Sequence, residues 1–213
     1  MRLYNFLNEK DVIDLNNQLQ EFNDNIHKYC KPYLNMIKGK EEPLMRGMTI
    51  KGDNFIDVKK VRKNRKAQGM LDDEVEVLNK WLEENGHNKR NVSVMCKNPK
   101  DPSKLELFGD NVCYIFPIGK MSYTYIRADD INIKDRMLGW KPEAIKDHLI
   151  DGEENLRYLS LGFEEYFVTD RSIDDAYYNN YEIWINCDKY FYVDLDKLDT
   201  VGSSWDQKEQ KFK

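Results

Sequence analysis

Three residues place a charge or a hydroxyl inside runs that are otherwise built for burial. Arg46 interrupts the apolar run Leu44-Met45-Arg46-Gly47-Met48. A guanidinium embedded there either reaches solvent along its aliphatic stem or meets an anion. Ser93 lies in the alternating stretch Asn91-Val92-Ser93-Val94-Met95-Cys96, with Arg90 just ahead of it. Glu182 opens the apolar strand Tyr181-Glu182-Ile183-Trp184-Ile185, where a carboxylate needs a partner or projects into a cleft. Each residue also has an ordinary role open to it: ion-pair arginine, strand-edge hydroxyl, edge charge. Asp194, Asp196 and Asp199 form a further group of oxygens that a hard cation such as Mg²⁺ would accept. They read better as a solvated turn after a strand, and no metal is expected.

The common catalytic signatures do not occur in the sequence. It contains no Gly-x-Gly-x-x-Gly, no Gly-Lys-Ser/Thr, no Gly-x-Ser-x-Gly and no His-Glu-x-x-His. The cysteines (Cys30, Cys96, Cys113, Cys187) and histidines (His27, His87, His148) are scattered without metal-ligand spacing, so reduced, buried thiols in a cytoplasmic protein are expected. The basic stretch Lys59-Lys60-Val61-Arg62-Lys63-Asn64-Arg65-Lys66 is either a solvated loop or a local face for nucleic acid or an acidic protein, with Lys59, Arg62 and Arg65 as candidate contacts. The net charge of −5 disfavours broad phosphate binding.

The 213 residues suit one domain with an appendage, and 40% apolar with 12% aromatic residues suits a folded core. No apolar stretch approaches the ~20 residues of a membrane span, and the N-terminus turns polar too early for a signal peptide. Val12, Leu15, Leu19, Phe22, Ile26, Tyr29 and Tyr33 draw one stripe on a helix over 8–33, which Pro32 should weaken or end. A second helix runs from Asp72 to a stop at Gly86, and Asp101-Pro102 starts a short one ending at Gly109. Further helices are expected over 142–149 and 170–177. Strands are expected over 91–96, 112–116, 123–127, 165–169, 181–186 and 189–194, the last two forming a hairpin across Cys187 and Asp188. Residues 204–213 are polar and are expected to fray. The class is α+β.

Arginine, serine and glutamate on early, middle and late strands, in the order Arg46, Ser93, Glu182, resemble the pattern of the ADP-ribosyltransferase superfamily. The resemblance covers roughly residues 42–195. It implies mixed short-stranded sheets with an added N-terminal amphipathic helix: an appendage over 1–40, the transferase-like domain over 41–200 and a polar tail over 201–213. It implies NAD as substrate, held in a cleft between the strands of Arg46 and Glu182. Arg46 and Gly47 would meet phosphate, Ser93 would orient the arginine or glutamate, and Phe108 would stack on nicotinamide. Glu182 would hold the ribose 2′-hydroxyl and stabilise positive charge on the ribose. Met95 stands where the family carries a second hydroxyl. Asn180 stands on the acceptor side, where related toxins carry Glu or Gln. A binding protein of the same fold without turnover, such as a counter-defence factor, is the alternative, and a nucleic-acid-binding protein is a third. The small size, acidic charge and Asn, Lys and Tyr content resemble bacteriophage proteins, which implies a host macromolecule as partner.

Overall fold

The computed structural model describes residues 9–52, 55–63, 72–98, 102–127 and 166–213. Its helices are α1 (Glu9–Tyr29), α2 (Lys31–Met36), α3 (Asp72–Glu84), α4 (Asp174–Tyr178) and α5 (Leu195–Thr200). Its strands are β1 (Met45–Met48), β2 (Ile56–Lys60), β3 (Val94–Cys96), β4 (Asn111–Pro117), β5 (Ser122–Ile126), β6 (Phe167–Thr169), β7 (Ile183–Asn186), β8 (Lys189–Asp194), β9 (Trp205–Asp206) and β10 (Lys211–Phe212). Arg90–Val92 and Pro102–Phe108 form 3-10 turns. The class is α+β, and among the described residues every strand pairing is antiparallel. No helix among the described residues is long and apolar enough to cross a membrane. The helix expected over 142–149 lies outside the described residues.

The chain divides into two compact units, each assembled from separate stretches of sequence. The first takes Met1–Lys60, Pro99–Lys120 and Lys189–Lys213. Its four-stranded sheet has the order β1-β4-β8-β2. Alternation of side chains sends Tyr114 and Phe116 of β4 to one face, toward α1 and the β9–β10 ribbon. Phe22 of α1 meets Phe116 edge-on at 5.2 Å between ring centroids. The helical stripe holds for Leu19, Phe22, Ile26 and Tyr33, all buried, while Tyr29 is exposed under the Lys28 ammonium. The helix breaks at Cys30, and Pro32 begins α2 in its first turn, where a missing N–H costs nothing.

Two expectations are corrected in this unit. Residues 204–213 do not fray. They form the β9–β10 ribbon, which buries Trp205 and Phe212. Asn23 ties the ribbon to α1, its Nδ2 donating to the Phe212 carbonyl at 2.8 Å and its Oδ1 accepting from the Phe212 N–H at 2.9 Å. β7 and β8 do not form a hairpin. β8 is flanked by β4 and β2 in the first unit, and β7 by β3 and β5 in the second, so neither has a free edge for the other.

The second unit comprises Val61–Asn98 and Met121–Asp188, with a sheet of order β3-β7-β5-β6. α3 buries Leu78, Trp81 and Leu82. Gly86 ends it at φ +72°, and the His87 N–H returns to the Leu82 carbonyl at 2.7 Å. Trp81, Phe167 and Trp184 form an aromatic column with centroid spacings of 5.5 and 5.8 Å.

Candidate functional site

In the second unit, Glu182 immediately precedes β7, and its backbone carbonyl accepts from the Ile126 N–H at 3.1 Å. Its carboxylate accepts from Trp184 Nε1 at 2.6 Å, a bond between residues two apart on one face of the strand. A fully buried indole thereby holds the carboxylate in one orientation. Asn180, two residues earlier, adopts the left-handed region at φ +56°, and its Oδ1 is buried without a hydrogen-bond partner.

Ser93 is buried at the other end of the β3–β7 pair. Val94 faces Ile185 and Cys96 faces Ile183, so Ser93 falls beside Asn186, while Glu182 falls beside Lys97. The structure therefore does not bring Ser93 to Glu182. The Ser93 hydroxyl instead donates to the Lys89 carbonyl at 2.7 Å, closing the 3-10 turn that carries Arg90. Asn79 Oδ1 clamps the same turn from α3, accepting from the Arg90 N–H at 2.9 Å and from the Asn91 N–H at 3.4 Å. Arg90, on this turn, feels the Glu182 charge through space, with no hydrogen bond or ion pair between the two. Burial lowers its pKa from the usual guanidinium value, and the Glu182 carboxylate raises it in part.

A polar ladder that the sequence reading missed crosses the same unit. His87 Nδ1 lies 2.7 Å from Thr169 Oγ1, which lies 2.6 Å from Thr124 Oγ1. Thr124 Oγ1 accepts from the Asn88 N–H at 2.9 Å, and the Asn88 carboxamide lies 2.7 Å from Ser122 Oγ. The signal available in sequence was small polar residues alternating with tyrosines over 122–125, the mark of a strand with one hydrogen-bonded face.

The first unit holds Arg46, Gly47, Phe108 and Lys59. Arg46, Cys113 and Asp194 lie opposite one another across β1, β4 and β8, so their side chains share one face of the sheet. Cys113 is buried there, and desolvation followed by the Asp194 carboxylate pushes its thiol far above the usual range, out of reach of thiolate chemistry. Asp194 caps α5, its Oδ1 accepting from the Asp196 N–H at 3.1 Å and its Oδ2 from Asn111 Nδ2 at 3.2 Å. Its carboxylate is thus buried and spent on a helix cap, which corrects the expectation of a solvated turn after the strand. Among the described residues no group of His, Cys, Asp or Glu is placed to hold a metal.

Gly47 faces the opposite side from Arg46, against the Pro102–Phe108 turn. A Cβ there would fall 1.8 Å from the Leu105 carbonyl oxygen, which is a packing reason for glycine independent of any ligand. Phe108 lies on the Gly47 side and is 62% exposed. Lys59 is engaged inside the unit, its Nζ donating to the Thr49 carbonyl at 3.1 Å and lying 5.3 Å from the Tyr192 ring centroid. Arg62, in the second unit, is exposed, and Arg65 lies outside the described residues. Comparison of the chain with protein-family models, with curated proteins and with solved structures returned no match.

Proposed function

We propose that the protein is an NAD-dependent ADP-ribosyltransferase-like protein acting on a host macromolecule, with Glu182 as the carboxylate facing the ribose. The observation that carries this reading is the fixed Glu182 carboxylate, oriented by the Trp184 indole at 2.6 Å. Cleavage of the nicotinamide–ribose bond builds positive charge on the sugar. A carboxylate held in place beforehand stabilises that charge without reorganising as it forms. The α+β class, with antiparallel four-stranded sheets in both units, and the position of Arg46 on the first strand also support it.

One observation favours the second reading, a binding protein without turnover. The Ser93 hydroxyl is spent on the Lys89 carbonyl and stands apart from Glu182, which removes one group expected to orient a reacting dinucleotide. Incubation with labelled NAD and lysate separates the two. Transfer of label that falls ~10²-fold in Glu182→Gln supports the enzyme. Calorimetric NAD binding with no label transferred supports the binding protein. No NAD binding at millimolar concentration refutes both.

A further inference from the structure

Arg90 brings into the second unit a charge that no contact there neutralises. Its Nε is buried without a hydrogen-bond partner, and no ion pair to its guanidinium occurs among the described residues. Glu182 acts on it through space but is held by Trp184. An arginine remains protonated even when burial lowers its pKa, so the unmet need is for an acceptor that carries charge. A buried N–H left without an acceptor is costly, and proteins retain such groups where something else supplies the bond.

The backbone beneath Arg90 is fixed from two sides. Asn79 Oδ1 accepts from the Arg90 and Asn91 N–H groups, and Asn79 Nδ2 is anchored on the Val75 carbonyl at 2.8 Å. Ser93 closes the turn from its other end. The side chain therefore starts from a rigid base, which lowers the entropy lost on gripping a ligand. Two carboxamide oxygens, Asn91 Oδ1 next to Arg90 and Asn180 Oδ1 near Glu182, are buried without donors.

We propose that Arg90 is the anchoring cation of an oxyanion site on the turn clamped by Asn79 and Ser93, taking the phosphate group of a ligand such as a nucleotide. The nucleotide identity rests on the function proposed above; the anion site does not. Ser93 and Asn79 are positioning residues that act through the turn. Glu182 opposes the bare anion by like charge and favours the sugar hydroxyls, so its removal has opposite effects on the two kinds of ligand.

The test is calorimetric titration at low ionic strength with two probes, inorganic pyrophosphate and ADP-ribose. The variants are Arg90→Met, Arg90→Lys and Glu182→Gln. Arg90→Met is expected to lose about tenfold or more in pyrophosphate affinity, the worth of a hydrogen-bonded charge, and Arg90→Lys to keep part of it. Glu182→Gln is expected to tighten pyrophosphate roughly threefold by removing a like charge, while weakening ADP-ribose. Arg90→Met should melt no lower than the wild type, since it abandons no partner. Pyrophosphate binding without ADP-ribose binding supports the site and identifies free phosphate as the source. Pyrophosphate binding through Arg90 with no binding of NAD refutes the proposed function and leaves the anion site standing. Absence of pyrophosphate binding to the wild type, or equal affinity in Arg90→Met, overturns the proposal. So does a lowered melting temperature in Arg90→Met with binding intact, which would make Arg90 a packing residue.

Discussion

Replacing Gly47 with alanine separates a ligand-binding glycine from a packing glycine. The added Cβ would lie 1.8 Å from the Leu105 carbonyl oxygen, 2.9 Å from its carbon and 3.1 Å from Phe108 Cβ. Carbon–oxygen contacts begin near ~3.3 Å, so the Pro102–Phe108 turn must retreat by about 1.5 Å. The turn has little room to do so. Just past it, Gly109 also presses on β1, since a Cβ on it would fall 2.4–2.6 Å from the Met48 backbone. Leu105, buried beneath, would be lifted from its seat. Overpacking of this kind costs about 1–3 kcal/mol, and partial unseating of one leucine brings the sum to about 2–4 kcal/mol. That is a large part of the ~5–15 kcal/mol that holds an ordinary domain together. In urea, with a slope of ~1–3 kcal/mol/M, the unfolding midpoint should fall by roughly 1 M or more. A midpoint equal to that of the wild type would refute the close approach of turn and strand. Normal stability with lost nucleotide affinity would return Gly47 to the ligand.

Three further outcomes follow from packing and charge. Phe212→Ala removes a ring in contact with Phe22, Tyr114, Phe116 and Trp205 and should cost about 3–5 kcal/mol by urea titration, where a frayed tail would cost nothing. Burial and Asp196 raise the pKa of Asp194 in the folded state, so its contribution to stability is full below the ordinary carboxylate range and is lost as pH rises through the raised value. The stability of Asp194→Asn relative to wild type should accordingly improve from acid to neutral pH, and a constant difference would contradict the burial. All four cysteines are buried, with the Cys187 thiol pushed up to about 12, so a thiol reagent at pH 8 should react with none quickly and with all four after unfolding.

The parts of the fold legible in the sequence are those where one residue pattern admits one structure. The run Val112–Phe116 is too apolar and too short for anything but a buried strand, and it forms most of β4. The α1 stripe spaces Leu19, Phe22 and Ile26 at helical intervals, and all three enter the core. The β9–β10 ribbon was not legible. Its burial depends on Trp205 and Phe212 alone, set among lysines and acids, and on a partner, Asn23, near the other end of the chain. The separation of β7 from β8 was hidden for a different reason, since a two-residue link fixes the distance between strands and not their pairing. In the candidate site, Glu182 drew attention as a charge opening an apolar strand. Arg90 did not, because its distinction is an empty hydrogen-bond valence, which only the folded geometry reveals. The bond that Ser93 makes is likewise set by the fold. The hydroxyl donates to a carbonyl four residues back instead of to a distant side chain.

The bond pair between Asn23 and Phe212 also sets a timetable for synthesis. The two residues are 189 positions apart, and a ribosome adding ~5–20 residues each second needs roughly 10–40 s to travel between them. Throughout that interval Phe22 lacks the ribbon that covers it, Phe116 lacks it from its own synthesis onward, and β4 lacks β8 at its side until Lys189–Asp194 has been made. The first unit thus draws on α1 and on a ribbon made long after it. Until the ribbon is made, the nascent protein carries exposed aromatic surface. Slow decoding between β8 and the ribbon, or a stop codon just before Trp205, would prolong that exposure and leave the chain open to aggregation or chaperone capture.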